Sequence, residues 1–306
     1  MITVGLPAAG KDTFFNEIKA IKNWVHISSD KIREEVFGDV NDQSHNPEVF
    51  DIMFKGTIEA LDNDWNVYYN ATNLSAKYRK RLIHEIKKHR ELKGLEDIRV
   101  TCALFVVPYE ECLIRNRERS RTVPEHVMKR MYMSFQPPCE AEGFDNIIII
   151  GAKPNTCFLE RLKEICDVTP HDNPNHRLSL GGHMRAAHKY LIDNSAIYIN
   201  KCHHWSAVSE AASMHDIGKL FCKTFVNSRG ETTTKAHYYN HEYVGAYLYL
   251  CYGRGDASFK LYVANLIANH MSFFGGEKRL ERIRQKHGED FYNDLCILHE
   301  CDVAAH

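Results

Sequence analysis

The sequence predicts an α/β domain built on a parallel sheet with flanking helices, followed by an all-α domain. Three observations predict it. Strand-like and helix-like segments alternate as far as residue 150, the pattern of a parallel sheet covered on both faces. A stretch punctuated by Pro154, Pro170 and Pro174 then interrupts the pattern. From Ser179 onward strand signals nearly vanish and helical periodicity takes over. A length of 306 residues suits two domains, predicted at 1–152 and 179–306 with a linker at 153–178.

Taken in order, Ile2–Val4 is a short apolar strand that ends in a glycine loop, and Asp12–Ile21 has helical spacing. Trp24–Ser28 reads as a strand and Asp30–Phe37 as a helix. Trp65–Tyr69 is strand-like, and Ala76–Leu92 is an amphipathic helix. Val100–Val107 is an apolar strand, Tyr109–Ser120 and Val123–Phe135 are helices, and Asn146–Ile150 is a last buried strand. The linker holds one short helix, Cys157–Cys166. Helices are predicted beyond it at 179–194, 204–215, 240–252, 257–271 and 289–304.

Composition excludes several classes. A net charge of −1 excludes a broadly basic surface, so a polyanion would have to be held by a local cluster. No apolar run is long enough to span a bilayer, and the N-terminal segment has no signal-peptide character, so a cytoplasmic protein with no membrane partner is expected. Ten cysteines without a CxxC pair read as free thiols. Histidine is unevenly spread: 5 of the 18 lie in 1–152 and 13 in 153–306. Imidazole is the commonest metal ligand, so the imbalance points to a metal site in the second half.

Gly5-Leu6-Pro7-Ala8-Ala9-Gly10-Lys11 fits GxxxxGK between a strand and a helix. Backbone N–H groups from Gly5, Ala8, Ala9 and Gly10, with the helix N-terminus, can wrap a polyphosphate while Lys11 bridges its outer phosphates. A plain glycine turn is the bland alternative. Asp12 stands where Ser or Thr is usual, and Thr13 follows. Mg²⁺ ligation by Asp12 itself, or through water and phosphate, both remain open. Asp30 follows the second strand, beside the phosphate loop, where it could accept a proton from an attacking hydroxyl. Arg33, one turn on, could hold a substrate phosphate; an ordinary helix cap is the alternative for this segment. Arg115 and Arg119, four apart on a helix, suit a lid over the phosphates, within a run that includes Arg117 and Arg121. Lys77, Arg79, Lys80, Arg81, Lys87, Lys88, Arg90 and Lys93 give the fourth helix a basic character. That helix could track a nucleic-acid backbone or simply be a solvated face.

These segments resemble the kinase module of the phage polynucleotide kinases over residues 1–136. The matching pieces are GLPAAGKDT, SSDKIR, ATNLSAKYRKR and VPYEECLIRNRERSRTVPEHVMKRMYMSF. The resemblance implies ATP as phosphate donor with Mg²⁺, Lys11 on the phosphates and Asp30 as general base. It also implies Arg33 on the acceptor's terminal phosphodiester and Arg119 as the lid arginine. Asp12 in the phosphate loop and Ala71, where the family carries an acidic residue, depart from its pattern.

In the second half, His183, the doublet His215-Asp216, His241, His270 and Asp302 are spread over successive predicted helices. Adjacent helical residues point about 100° apart, so one ion between them can be bound by both members of the doublet. The order H…HD…H…H…D resembles the HD phosphohydrolase superfamily over about 176–304. The resemblance implies a core site of His183, His215, Asp216 and Asp302, with His241 and His270 serving a second metal. Mixed His/carboxylate ligation suits Mn²⁺, Fe²⁺, Co²⁺ or Ni²⁺. Lys219 could bind the substrate phosphate or serve as a C-terminal helix charge. His176 is a weaker candidate.

A kinase joined to a phosphohydrolase resembles the bifunctional end-healing enzymes. The implied function is 5′-OH phosphorylation together with removal of 2′,3′-cyclic, 2′ or 3′ phosphates. The implied partners are nucleic-acid ends, RNA favoured over DNA, and a separate RNA ligase. Two alternatives stand beside it: a nucleoside or small-molecule kinase fused to a nucleotide phosphohydrolase, and a nucleotide-sensing regulatory protein.

Overall fold

A computed structural model describes residues 1–21, 23–173 and 177–306. The chain divides into two compact units. The first holds Met1–Met131 and Pro138–Gly151, and the second holds Tyr132–Pro137 and Ala152–His306.

The first unit is a five-stranded parallel sheet of β1 (Ile2–Gly5), β2 (Trp24–Ser28), β3 (Asn66–Asn70), β4 (Thr101–Phe105) and β5 (Asn146–Ile150). The strand order is β2-β3-β1-β4-β5. Helices cover both faces, so central strands need apolar side chains in both directions. Val4, Cys102, Ala103 and Leu104 are accordingly fully buried. With β1 in the middle, the C-terminal edge of the sheet is where an α/β fold opens its ligand crevice. The helices are α1 (Lys11–Ile18), α2 (Ser29–Phe37), α3 (Asn46–Asp62), α4 (Ala76–Leu92), α5 (Tyr109–Glu118) and α6 (Glu125–Met133).

Two features of this unit differ from the sequence expectation. Helix α3 was not expected: no element is predicted between Phe37 and Trp65. Proline is tolerated in a first helical turn, and Val49, Met53, Thr57 and Ala60 bury one face at helical spacing. Helix α4 is less basic on its surface than its composition suggests. Arg79 is completely buried and forks onto Glu142, at 2.6 Å from Nε and 2.9 Å from Nη2. Its Nη1 donates to the carbonyls of Asn73 and Leu74. Arg90 is also buried and donates to the carbonyls of Glu96 and Leu61. Neither arginine is available to a nucleic-acid backbone. Removing one member of a buried pair leaves the other charge uncompensated, so Arg79→Ala is expected to cost about 3–5 kcal/mol of stability in chemical denaturation.

In the second unit, α7 (Thr156–Val168) is capped by Asn155, whose side chain accepts from the Phe158 N–H. It buries Leu159, Leu162 and Cys166 and packs on α8 (Leu180–Asp193). Much of the predicted linker is therefore core-forming. The unit continues with α9 (Ser195–Tyr198), α10 (Trp205–Ala212) and α11 (Lys219–Cys222), then α12 (His241–Tyr252) and α13 (Ala257–Asn269), and ends with α14 (Glu277–His287) and α15 (Glu289–Ala304). The all-α expectation needs one correction: β6 (Thr224–Val226) and β7 (Thr232–His237) form an antiparallel hairpin. Helix α14 was also not expected. Asp294 of α15 is fully buried and accepts from the backbone N–H groups of His203 and His204 and from the Tyr262 hydroxyl. It thereby fixes the entry to α10. Among the described residues, no helix is long and apolar enough to cross a membrane.

Candidate active sites

The phosphate-loop candidate occupies the turn between β1 and α1. Ala8 and Gly10 both have positive φ, 61° and 92°. For alanine the left-handed region costs about 1–2 kcal/mol, strain of the kind that gathers at ligand-binding turns. Lys11 is buried and folds back on the loop, its Nζ donating to the carbonyls of Leu6 at 2.7 Å and Gly5 at 3.3 Å. Burial lowers its pKa to about 8 against the pull of Asp12 and Asp30, and Arg119 adds slightly to the lowering. Asp12 is exposed and accepts from the Asn70 amide at 2.8 Å, and Thr13 is exposed beside it. The buried Asn70 amide also faces His26 Nε2 at 3.0 Å. The Tyr68 hydroxyl donates to the Lys11 carbonyl at 2.7 Å.

Both oxygens of Asp30 are engaged by guanidinium groups. Oδ1 lies 3.3 Å from Arg33 Nη1, and Oδ2 lies 2.5 Å from Arg121 Nη1. Arg33 is itself buried, and its Nη2 donates to Asn46 Oδ1 at 2.6 Å. Arg121 also donates to Asn41 at 3.1 Å. Among the arginines of the 115–121 run, only Arg121 contacts the carboxylate, and its spacing gave no sign of that. Arg115, in the last turn of α5, is paired with Glu111, with its guanidinium near Gly10. Arg119 lies just past the end of α5 in extended backbone, so it does not share a helical face with Arg115 as expected. The Arg117–Thr122 loop is closed by Asn116, whose side-chain amide donates to the Val123 carbonyl at 2.8 Å and whose oxygen accepts from the Val123 N–H at 2.9 Å.

In the second unit, six side chains from five places in the chain converge. His183 comes from α8, His241 opens α12, His270 starts a 3₁₀ turn after α13, and Asp302 comes from α15. His215 and Asp216 sit in the turn between α10 and α11, not on a helix as expected. That turn needs Gly218, because a Cβ there would lie 2.0 Å from the His241 carbonyl oxygen. All six residues are buried.

Asp216 bridges the cluster. Its Oδ2 faces His183 Nε2 at 3.5 Å and His215 Nε2 at 3.7 Å, and its Oδ1 faces His241 Nε2 at 3.1 Å and His270 Nε2 at 3.6 Å. Asp302 Oδ1 lies 2.8 Å from His183 Nε2 and 3.3 Å from His215 Nε2. Lys219 Nζ donates to Asp216 Oδ2 at 2.6 Å and lies over the Tyr238 ring. Burial raises the acidity cost of Asp216, yet Lys219 and the surrounding histidines hold its carboxyl well below the ordinary range. Asp302 is likewise held low against burial, by His183 and His215. Two residues given no metal role from sequence also approach. The His171 ring meets His183 edge-on, and His306 groups with His183 and Asp302 as a set of mutually close donor atoms. His176 lies outside the described residues.

The donor chemistry fits a divalent cation. A carbonyl only accepts, so it selects a protonated Nδ1. His215, His241 and His270 each face the carbonyl three residues back, at 3.1, 2.7 and 2.7 Å. His183 Nδ1 faces the Ala305 carbonyl at 3.4 Å. In a neutral ring that leaves Nε2 as a bare lone pair, and all four Nε2 atoms point at carboxylate oxygens or at one another. The His183–His215 pair is 3.3 Å apart and the His241–His270 pair 3.2 Å. A divalent cation among them would satisfy such facing lone pairs, and backbone-held Nδ1–H groups are the usual outer support of histidine ligands.

Residues 1–138 match the model of an AAA domain family. An L-seryl-tRNA(Sec) kinase from Methanococcus maripaludis is 28% identical over 179 residues, covering 56% of this chain and 67% of that protein. A crystal structure of a fungal RNA kinase aligns at a TM-score of 0.38 and 17% identity, over 69% of this chain and 48% of that one. The chain thus spans about half the length of that fungal protein. The first unit is a parallel-sheet P-loop fold with flanking helices, and the family and curated likenesses support a kinase module there.

Proposed function

We propose that the chain is a bifunctional nucleic-acid end-healing enzyme, with RNA as its main substrate. In this reading the first unit transfers the ATP γ-phosphate to a 5′-OH, and the second removes 2′,3′-cyclic, 2′ or 3′ phosphates. The observation that carries it is Asp216, whose two carboxylate oxygens serve two separate histidine pairs. A kinase alone has no need of such a site. The tRNA kinase relative supports a nucleic-acid-linked acceptor for the first unit.

In the kinase unit, Lys11 swings from the loop carbonyls onto the β- and γ-phosphates, cradled by the N–H groups of Ala8 to Thr13; Gly5, expected among these donors, gives its N–H to the Thr72 carbonyl at 3.0 Å instead. Mg²⁺ would be held near Asp12 and Thr13 with the phosphates. With Arg33 and Arg121 turned from the Asp30 carboxylate to the acceptor's phosphodiester, Asp30 accepts and keeps the proton of the attacking hydroxyl. Arg115 and Arg119 cover the transferring group. A positioned general base is worth about 10²–10⁴-fold. Asp30→Asn is therefore expected to lower the kinase kcat by that factor, with ATP binding retained in a direct titration.

In the second unit, His183, His215, Asp216 and Asp302 would hold one divalent ion, and Asp216, His241 and His270 a second; Mn²⁺, Fe²⁺, Co²⁺ and Ni²⁺ all suit this donor set. Bound there, such ions polarise the phosphoryl group and lower the pKa of a water. Lys219 favours the ionised form of Asp216 and is the buried cation that would meet a substrate phosphate. Product ends with 5′-phosphate and 3′-OH would suit a separate RNA ligase.

A nucleoside kinase fused to a nucleotide phosphohydrolase is the competing reading, favoured by the near-neutral net charge. Phosphate transfer from ATP to a 5′-OH oligonucleotide and to a free nucleoside, measured side by side, separates the two. Preference for the nucleoside rejects the end-healing reading.

A further inference from the structure

The ligand candidate His270 opens the 3₁₀ turn His270–Gly275, and one non-helical residue, Gly276, joins that turn to α14. Between residues 277 and 287, α14 carries five cations (Lys278, Arg279, Arg282, Arg284, Lys286) against two carboxylates (Glu277, Glu281). Ile283 is its single buried residue among those described. This density contrasts with a whole-chain charge of −1. Arg284 is committed to Glu289 and lies over the Tyr292 ring. Lys278 and Arg282 are exposed and make no ion pair among the described residues. They are four residues apart, a step of about 6 Å along one helix face. Beside them a groove of about 550 Å³ lies along α14, lined there by the cations Lys278, Arg282 and Arg284 and the carboxylates Glu277 and Glu281, and on α15 by Tyr292. Phe274, 68% exposed, lies in the 3₁₀ turn that precedes the helix.

Two unpaired cations beside the Tyr292 ring, on a helix with five cations against two carboxylates, are what a flexible polyanion with stackable bases recognises. An acidic peptide would use the cations and leave the ring idle. We propose that α14 is a docking track for single-stranded nucleic acid, whose phosphorylated 3′ end is delivered to the His/Asp cluster. This rests on the phosphohydrolase reading and adds to it a reason for preferring a polynucleotide over a mononucleotide.

The test compares the full wild-type chain with Lys278→Glu/Arg282→Glu, and with the milder Lys278→Ala/Arg282→Ala in case charge reversal disturbs folding. Two substrates are used with Mn²⁺: a short RNA of about ten nucleotides, within the span of one single-strand site, ending in a 2′,3′-cyclic phosphate, and a 2′,3′-cyclic mononucleotide. Binding of the same RNA is followed by fluorescence anisotropy at several salt concentrations. The expected result is a rise of about tenfold in KM and Kd for the RNA, and a salt slope shallower by about 1.4. Mononucleotide hydrolysis stays unchanged. Unchanged RNA binding and KM would overturn the proposal, as would an equal loss on both substrates. If the wild type hydrolyses neither substrate, the end-healing reading fails, and the anisotropy difference still decides whether α14 binds RNA.

Discussion

Asp216→Ala is expected to abolish 3′-end phosphate removal while leaving 5′ phosphorylation intact. Losing an outer partner of a metal ligand typically costs 10–100-fold. Asp216 faces both histidine pairs at once, so its loss should exceed about a hundredfold and take bound metal with it. Atomic-absorption analysis of purified protein would read this as a drop in divalent metal per chain. The substitution leaves the buried Lys219 ammonium without its partner, so some stability is lost as for Arg79→Ala. Retained 5′ phosphorylation and an unchanged circular-dichroism spectrum separate loss of the site from loss of the fold. Retained metal together with retained phosphohydrolysis would mean that Asp216 is no more than a buried counter-charge for Lys219.

Lys11→Ala is expected to produce the reverse phenotype. Residues that neutralise the transferring phosphoryl group are worth about 10³–10⁵-fold in comparable sites. Lys11 is the one lysine of the phosphate loop, held at its mouth by carbonyl contacts that a phosphate would replace. Kinase turnover should fall by about that factor, with metal content and 3′-end hydrolysis unchanged. Lys11→Arg should recover little, because a planar fork does not replace a compact ammonium in a backbone cradle.

The parts of the fold that were legible in the sequence were those whose signal is local. Parallel strands buried on both faces leave apolar runs, and Trp24–Ser28 and Asn146–Ile150 match the structure to the residue. The amphipathic helix Ala76–Leu92 also matches to the residue. The hairpin Thr224–His237 was not legible, because its strands are short, threonine-rich and largely exposed and carry no alternating apolar pattern. The site shows the same division. The metal-ligand candidates were identifiable as residue types in a familiar order. Their support through backbone carbonyls, and the approach of His171 and His306, arise only from packing. Arg79 was read as surface charge because its partner Glu142 lies 63 residues away. Arg121 passed as one more lid arginine because nothing in its spacing reveals the contact with Asp30.

The most direct test follows both ends of one RNA that carries a 5′-OH and a 2′,3′-cyclic phosphate, incubated with ATP, Mg²⁺ and Mn²⁺. The wild-type chain should convert both ends, Lys11→Ala only the 3′ end, and Asp216→Ala only the 5′ end. A chain that phosphorylates the 5′ end but leaves the cyclic phosphate untouched with Mn²⁺, Ni²⁺, Co²⁺ or Fe²⁺ would contradict end healing and leave a kinase joined to a binding domain.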